Sequence, residues 1–442
     1  MNGLPAALRQ QWRNSGSFRL WTILAAVGLV LNLALTVLWQ MEIVSFEDVP
    51  PANDLKIYLD AGHRFLQREN LYVAPRADFG LYAYSPAFAL VLALLTFLPY
   101  KLVWIVDALL HLMVYWLMYW RWYNIFRQQY LNAAAEVLVQ LLPLWIIFTG
   151  LLYEFSYMNI YIFMAFLATL LVEAMLYQQT GKAIFWLTIL LLIKPQWAIA
   201  LGIPLLLRKW RFLAKVISGA LLAYFAILGM MVVSMGGYAW QQYREYVLFL
   251  QSIPYTFPWS TLAKEGHLGY NNSLLQLVIF LTNHASYAVA LTTVIKILLS
   301  LPLVMIYRRY LRKASQDANF GFILEWTFAL YLLAFLWLDV DTELTFGIVI
   351  FTYLWATLPS QRLKHLAGLV FLPYALTHIW ITVTSLLSFF LPLPDVIIDP
   401  SRFIPFILIA ILGLYGLVVW QLKNKVSQPI PKYITQRKFQ SS

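Results

Sequence analysis

The chain alternates long apolar runs with short polar segments that are rich in lysine and arginine. The runs at 21–39, 102–120 and 212–234 are good examples of this pattern. Each approaches the ~20 residues that a helix needs to cross ~30 Å of hydrocarbon. The hydropathy pattern therefore predicts an all-α polytopic membrane protein.

Counting basic residues between the apolar runs limits how many of those runs can cross. Lysine and arginine concentrate in short cytoplasmic loops, and the basic clusters of this chain lie at 9–19, 121–127, 208–215, 308–313, 362–364 and 423–438. An even number of crossings must separate any two clusters on the same side. The runs 84–98, 183–207 and 273–281 violate this parity if each crosses once, so we expect none of them to be a single complete crossing.

This parity predicts about twelve transmembrane helices, with both termini in the cytoplasm. The spans beyond those already named are expected near 136–153, 157–177, 287–306, 321–338, 344–358, 366–390 and 403–422. The two large outer loops are expected over about 41–100 and 236–272. The run 183–207 is expected to break at Lys194-Pro195, because proline removes a helical hydrogen bond. A single transmembrane domain over 1–422 would then precede a basic cytoplasmic tail over 423–442.

Composition supports the membrane prediction. It also argues against a nucleic-acid-binding protein and against disulfide or thiolate metal sites. Hydrophobic residues make up 62% of the chain and charged residues 12%, against roughly 45–50% and about 25% in soluble domains. The net charge of +11 would suggest nucleic acid in a soluble protein, but here the basic residues occupy short loops. We therefore expect membrane lipids rather than nucleic acid as partners. The absence of cysteine excludes disulfides and thiolate metal sites.

The first candidate for chemistry is Asp54 in the first large loop. Asn53 is a suitable N-cap, so we expect a helix to begin at Asp54 and to place Tyr58, Ala61 and Phe65 on the same face. The helix dipole favours an ionised carboxylate in the first turn. Such a carboxylate suits a general base that deprotonates a hydroxyl. The alternative is an ordinary acidic first-turn residue.

Two cations are candidates for binding a phosphate. Lys194 lies inside an apolar run, where a lysine costs at least ~2.5–3.5 kcal/mol at a helix centre and is a functional candidate by default. A broken helix also exposes backbone groups that bind anions. The alternative is a lysine that snorkels to the interface. Arg402, at the expected outer end of the last helix, would meet a lipid phosphate or anchor that helix.

Aromatic and amide residues near 236–272 suggest a sugar site. The segment carries several tyrosines and ends close to Asn271, and an aromatic belt at the membrane interface explains the tyrosines equally well. His378 lies within an apolar run. It would either contact a ligand or be a polar residue of the bundle whose hydrogen bonds are satisfied within the protein. The acidic turn of Asp339, Asp341 and Glu343 has the oxygen ligands for a divalent cation, but a solvated turn is the simpler interpretation and we expect no metal there.

These motifs occur in the order of a known family. The resemblance of this chain to that family rests on five motifs. They are Asp54-x3-Tyr58, Asn70-Leu-Tyr72, Tyr82-x-Tyr84-Ser85-Pro86, Lys194-Pro195 with its following basic turn, and Asn271-Asn-Ser-Leu274. Together they resemble glycosyltransferase family 87, which holds polyprenyl-phosphate-mannose-dependent mannosyltransferases of the GT-C superfamily. The resemblance covers about the first three hundred residues. The chain lacks the Gly-Gln-x-Asn and Ser-Trp-x-x-His patterns common in that family, so mannose is only a candidate sugar.

The resemblance implies a GT-C-type bundle with juxtamembrane helices in the first outer loop and Asp54 as the catalytic base. It implies an inverting transfer from a polyprenyl-phosphate sugar to a lipid or glycan hydroxyl at the outer face of a bacterial cytoplasmic membrane. No cofactor or metal is expected. On this hypothesis the donor phosphate meets Lys194 and Arg402. The remaining pocket residues would be Tyr58, Tyr82, Tyr84, Asn271 and His378.

Two other functions remain open from the sequence. A transporter or flippase of a lipid-linked sugar would show a pathway open to both sides and several ionisable groups in the middle of the membrane. A structural membrane protein would tolerate substitution of Asp54. The large one-sided loop favours the transferase over both alternatives.

Overall fold

The computed structural model describes residues 3–41, 43, 54–72, 82–256, 268–269, 271–283, 285–312, 320–339 and 343–427. All regular structure in these ranges is helical. The α-helices are α1 (Leu4–Asn14), α2 (Gly16–Gln40), α3 (Asp54–Gln67), α4 (Pro86–Ala93), α5 (Tyr100–Gln128), α6 (Asn132–Gln140), α7 (Leu142–Ile146), α8 (Thr149–Tyr157), α9 (Tyr161–Leu176), α10 (Thr180–Ile193), α11 (Gly202–Leu206), α12 (Trp210–Met235), α13 (Gly237–Thr256), α14 (Leu274–Thr282), α15 (Ala285–Arg312), α16 (Phe320–Trp337), α17 (Gly347–Thr357), α18 (Gln361–Ala375), α19 (Thr377–Ser388), α20 (Asp395–Ile398) and α21 (Phe406–Ser427). Short 3-10 helices cover Leu95–Phe97, Pro195–Leu201 and Pro400–Arg402.

Six of the described helices are long and apolar enough to cross a membrane. They are α2, α5, α12, α15, α16 and α21. Two bent pairs of helices are also long and apolar enough if each pair is counted as one span. The chain bends by 62° between α6 and the stretch that holds α7 and α8, and by 49° between α18 and α19. The expected multi-pass, all-helical class is confirmed, with six to eight candidate spans among the described residues.

The three runs that charge parity excluded from crossing once are all short or broken. Helix α4 has 8 residues, and the Ser85 hydroxyl caps its first turn. Helix α10 ends at Ile193, and a 3-10 helix begins at Pro195. Helix α14 has 9 residues and is capped by Ser273. None reaches the ~20 residues of a spanning helix, so the expectation that these runs lack a single full-length span is confirmed.

Aromatic side chains fill the centre of the bundle. Trp122 on α5 lies 5.8 Å from the Phe328 ring on α16 and 5.6 Å from Phe346, just before α17. Its indole nitrogen donates to the Thr169 hydroxyl of α9 at 2.9 Å. Four segments therefore meet at one buried tryptophan. Such rings bury large apolar areas with defined relative geometry, which suits the centre of a helical bundle.

The described helices leave the expected number of crossings and the extent of the two outer loops as predictions. Two of the runs expected to span, near 157–177 and 344–358, hold helices of only 16 and 11 residues, α9 and α17. The second outer loop, expected over 236–272, contains the 20-residue helix α13. Parts of both loops, the Asn53 cap and the tail from residue 428 lie outside the described residues.

Close contact between α3 and α4 requires a glycine at position 62. A Cβ atom placed there would lie 2.8 Å from the backbone nitrogen of Ala93 and 2.8 Å from the backbone carbon of Leu92. Backbone atoms cannot rotate away as a flexible side chain can, so the two helices would have to separate.

We predict that Gly62→Ala lowers the free energy of unfolding by about 1–3 kcal/mol, the usual cost of overpacking. Gly181→Ala is the matched control, because no atom lies within 4 Å of its added Cβ. That substitution should be neutral or stabilising by up to about 1 kcal/mol. Thermal unfolding of the two purified variants measures the difference. Equal melting temperatures would contradict the tight α3–α4 contact.

Candidate functional site

The turn between α8 and α9 holds a buried asparagine with partners from distant parts of the chain. Met158 adopts a left-handed backbone conformation with φ of 52° and ends α8. The next residue, Asn159, accepts hydrogen bonds at Oδ1 from the Tyr58 hydroxyl at 3.0 Å and from the Ile160 backbone N–H at 2.7 Å. Its Nδ2 donates to Oε1 of Glu343 at 3.0 Å. One amide thus joins α3, the α8–α9 turn and the segment before α17.

Two tyrosines complete the hydrogen bonding around this amide. The hydroxyls of Tyr58 and Tyr84 lie 2.8 Å apart, and Tyr84 also reaches Asn159 Oδ1 at 3.4 Å. Burial raises the pKa of both phenols well above the ordinary value of 10.0. The two hydroxyls therefore remain protonated and can donate. This network fixes the first turns of α3 against the segment that precedes α4.

Asp54 lies at the start of α3, one turn before Tyr58, and is partly buried. Burial raises the pKa of its carboxyl from 3.8 to about 7, and the positive charge of Lys194 opposes this rise. A carboxylate whose pKa lies near neutrality can both take up and release a proton at physiological pH. The predicted helix start at Asp54 is confirmed, and the structure brings this residue into electrostatic contact with Lys194.

The lysine at the break after α10 is enclosed by aromatic rings. Lys194 is 9% exposed, and its Nζ donates to the Tyr161 hydroxyl at 2.6 Å. The same nitrogen lies 4.5 Å from the centre of the Tyr84 ring and 3.8 Å from that of Tyr161. Aromatic faces attract a cation most strongly when water is excluded. Lys194 is therefore held beside the Tyr84 network instead of extending to an open surface.

A second carboxylate, which the sequence analysis missed, lies close to this lysine. Glu154 on α8 is fully buried, and its Oε2 accepts the backbone N–H of Tyr161 at 2.8 Å, so it caps the start of α9. An acidic residue within an apolar run is the same signal that singled out Lys194. Its position one residue beyond the expected span at 136–153 hid that signal.

Beside this cluster lies a cavity of about 400 Å³ between α2, α8 and α19. Thr36 and Ser156 share a hydrogen bond of 3.0 Å, and the Ser156 hydroxyl lies 3.1 Å from Nε2 of His378. Arg402 and Glu343 also line the cavity. Because Glu343 is bonded to Asn159 as well, the cavity and the Asp54–Lys194 cluster share a carboxylate.

The structure thus gathers most of the expected site residues into two adjoining groups. Asp54, Tyr58, Tyr84 and Lys194 form the first, and His378 with Arg402 belongs to the second. The other two expected residues direct their polar groups to other partners, although the Tyr82 ring lies 5.7 Å from the Tyr84 ring. The Tyr82 hydroxyl donates to the Ser85 carbonyl at 2.8 Å. Asn271 donates to the Asp339 carbonyl at 3.0 Å, while its neighbour Asn272 lines the cavity.

The described carboxylates of the acidic turn have different partners. Asp339 forms an ion pair with Lys296 at 2.7 Å, whereas Glu343 faces Asn159. Asp341 lies outside the described residues. Among the residues that the structure does describe, no group of three or more histidine or acidic side chains has the arrangement of a metal site.

No protein-family profile, curated protein or solved structure matches this chain. The function of this chain is therefore inferred from the residues of the site and from the arrangement that the fold gives them.

We predict that Asn159→Leu destabilises the protein by several kcal/mol. The substitution leaves buried groups of Tyr58 and Glu343 without their partner, and each such group costs about 1–3 kcal/mol. Asn132→Leu is the matched control, because the Asn132 amide bonds to Arg127 at an exposed position. Thermal unfolding should separate the two variants by many degrees. Comparable stability would show that Asn159 does not hold the turn.

Proposed function

We propose that this chain is a membrane glycosyltransferase that moves a sugar from a polyprenyl-phosphate donor to a hydroxyl of a lipid or glycan acceptor. The observation that carries the proposal is the juxtaposition of Asp54 and Lys194. A carboxyl with a pKa near 7 lies in the field of a buried lysine, next to a cavity that is lined by a second cation, Arg402. Transfer from a lipid phosphate needs a base for the acceptor and positive charge for the leaving phosphate.

The proposed reaction is a single displacement. The Asp54 carboxylate takes the proton of the acceptor hydroxyl, and the acceptor oxygen forms a bond to the anomeric carbon. The bond from that carbon to the phosphate oxygen breaks, and the polyprenyl phosphate leaves with the electron pair. Lys194, with Arg402, stabilises the leaving phosphate electrostatically, an effect that is strong in a site that excludes water. One displacement inverts the anomeric configuration.

The proposal includes a finer topology. It has about twelve crossings of the GT-C type, with juxtamembrane helices in the first outer loop and the site at the outer face of a bacterial cytoplasmic membrane. The short helices α3 and α4 suit juxtamembrane elements, because each is well below spanning length. The proposed donor carries mannose or a similar hexose or pentose.

A transporter or flippase of a lipid-linked sugar is the second candidate, and one observation favours it. The described helices contain more buried ionisable groups than the sequence analysis recognised. Glu154 is fully buried, and fully buried Glu325 pairs with Lys425 at 2.5 Å. Ionisable groups inside a membrane often mark a substrate or proton pathway. The experiment with Asp54 below separates a carrier from a transferase, because only a transferase makes a new glycosidic bond.

We predict that Asp54→Asn reduces transfer by at least about 10²–10⁴-fold, the usual contribution of a general base. Purified protein is incubated with a radiolabelled polyprenyl-phosphate hexose and membrane lipids, without a nucleotide sugar, and the labelled product is counted. Asp60→Asn is the control, because Asp60 lies on the same helix and pairs with Arg64 at a more exposed position. Full transfer by Asp54→Asn refutes the assignment, and no product from the wild type favours the carrier.

The pH dependence of transfer offers an independent prediction. The base acts when deprotonated and Lys194 acts when charged, and burial brings the pKa of both groups to about 7. We therefore expect kcat/KM to rise about tenfold per pH unit on the acid side, with a midpoint near 7, and to fall again at higher pH as Lys194 loses its charge. Lys194→Gln should move the midpoint to higher pH, because the lysine charge favours the carboxylate. Lys56→Gln is the control, because Lys56 on α3 lies 6.0 Å from the Tyr100 ring and Lys194 is the cation that acts on Asp54. The Lys56 variant should therefore leave the midpoint near 7. An unchanged midpoint in Lys194→Gln contradicts the pairing.

A further inference from the structure

Helices α2, α8 and α19 each present polar side chains to the cavity that lies between them. These side chains carry hydroxyl and amide groups, such as those of Asn32, Thr36, Ser156 and Thr382, and many of these groups bond to one another across the helix contacts. Asn32 Nδ2, for example, donates to the Thr382 hydroxyl at 3.0 Å. Aromatic residues, among them Trp39, line the same space. A volume of about 400 Å³ falls within the range of small-molecule sites.

Some polar atoms of this lining have no partner among the residues that the structure describes. Asn32 Oδ1 and Glu343 Oε2 are acceptors of this kind, and Trp39 Nε1 is a donor. The three side chains are only 3%, 3% and 9% exposed. A buried polar group without a hydrogen bond costs about 1–3 kcal/mol. All three residues line the cavity, and the three atoms themselves are enclosed by protein, so one ligand would satisfy them together after their side chains turn toward it.

The types of these atoms define the ligand. Two acceptors and one donor suit a molecule with several hydroxyl groups, because each hydroxyl both donates and accepts. The charged lining residues are Arg402 and three acids, Glu343, Asp395 and Asp399, so the lining holds more acidic than basic groups and does not select an anion alone. Aromatic rings beside hydroxyl partners suit the apolar face and polar rim of a sugar.

We propose that this cavity binds a hexopyranose ring, with Asn32, Glu343 and Trp39 as its hydrogen-bonding partners. The inference deepens the proposed transferase, but binding does not require transfer and can be measured without it. The ring can come from the polyprenyl-phosphate donor, whose phosphate would meet Arg402 in the same cavity, or from a neutral glycolipid acceptor. The shared chemistry is the ring, and separate probes distinguish the two sources.

The test measures binding to the full-length protein in phospholipid nanodiscs. The probes are radiolabelled polyprenyl-phosphate hexoses and hexosyl-diacylglycerols in their gluco, galacto and manno forms. We expect saturable binding of at least one probe, and weakening by about tenfold or more in Asn32→Leu and Glu343→Gln, since each loses an acceptor worth about 1.4 kcal/mol. Glu343→Gln retains an oxygen for Asn159 while it replaces Oε2 with a donor.

A matched control comes from Gln421 on α21. Its Nε2 donates to the Thr357 hydroxyl at 3.2 Å and its Oε1 has no partner among the described residues, as for Asn32. Gln421 does not line the cavity, so Gln421→Leu should bind the probe like the wild type. Trp39→Phe, which removes only the indole donor and part of one ring, supplies a third cavity variant if Asn32→Leu does not fold.

Several results would overturn the proposal. The cavity is not a sugar site if no probe binds the wild type, or if sugar-free polyprenyl phosphate and diacylglycerol bind as tightly as their glycosylated forms. The same conclusion follows if the folded cavity variants bind like Gln421→Leu. Binding that Asp54→Asn retains while transfer is lost would support both the sugar site and the transferase. Binding without any transfer in the wild type would support the sugar site alone.

Discussion

The side-chain amide of Asn159 is the interaction on which the proposed site depends. Its oxygen accepts from Tyr58, 101 positions earlier in the sequence, and its nitrogen donates to Glu343, 184 positions later. A hydrogen bond is stronger in a low dielectric than in water, and a missing partner there is also more costly. The buried turn can keep this position only while every partner is present, which gives the site one defined geometry.

This polar junction matters because short helices provide the proposed catalytic groups. Helices α3 and α4 are too short to be fixed as spanning segments, so they need other contacts. Gly62 allows their backbones to touch, and the Ser85 hydroxyl donates to the Leu192 carbonyl near the end of α10. That bond joins the start of α4 to the helix break that carries Lys194. The distance between Asp54 and Lys194 is thus set by contacts between short, interrupted elements.

The sequence predicted the helices and their breaks better than the tertiary contacts of individual side chains. Apolar length and charge parity identified the helical class, the break at Lys194 and the short run at 84–98, because each leaves a local signal. The bend between α18 and α19 was missed, although Pro373 lies just before it and proline commonly bends a helix. Glu343 was grouped with Asp339 by proximity in sequence. Its true partner, Asn159, is a tertiary contact that no local pattern indicates.

Glu343 also shows how recognition and chemistry could be linked in this fold. One carboxylate oxygen is held by Asn159, and the other has no partner among the described residues and belongs to a residue of the cavity lining. A sugar that donates to the second oxygen would order the carboxylate that already positions Asn159. Asn159 in turn holds Tyr58, one turn from Asp54. The site therefore needs no moving domain for a bound ring to influence the base, because two hydrogen bonds lead from Glu343 to Tyr58, which shares helix α3 with Asp54.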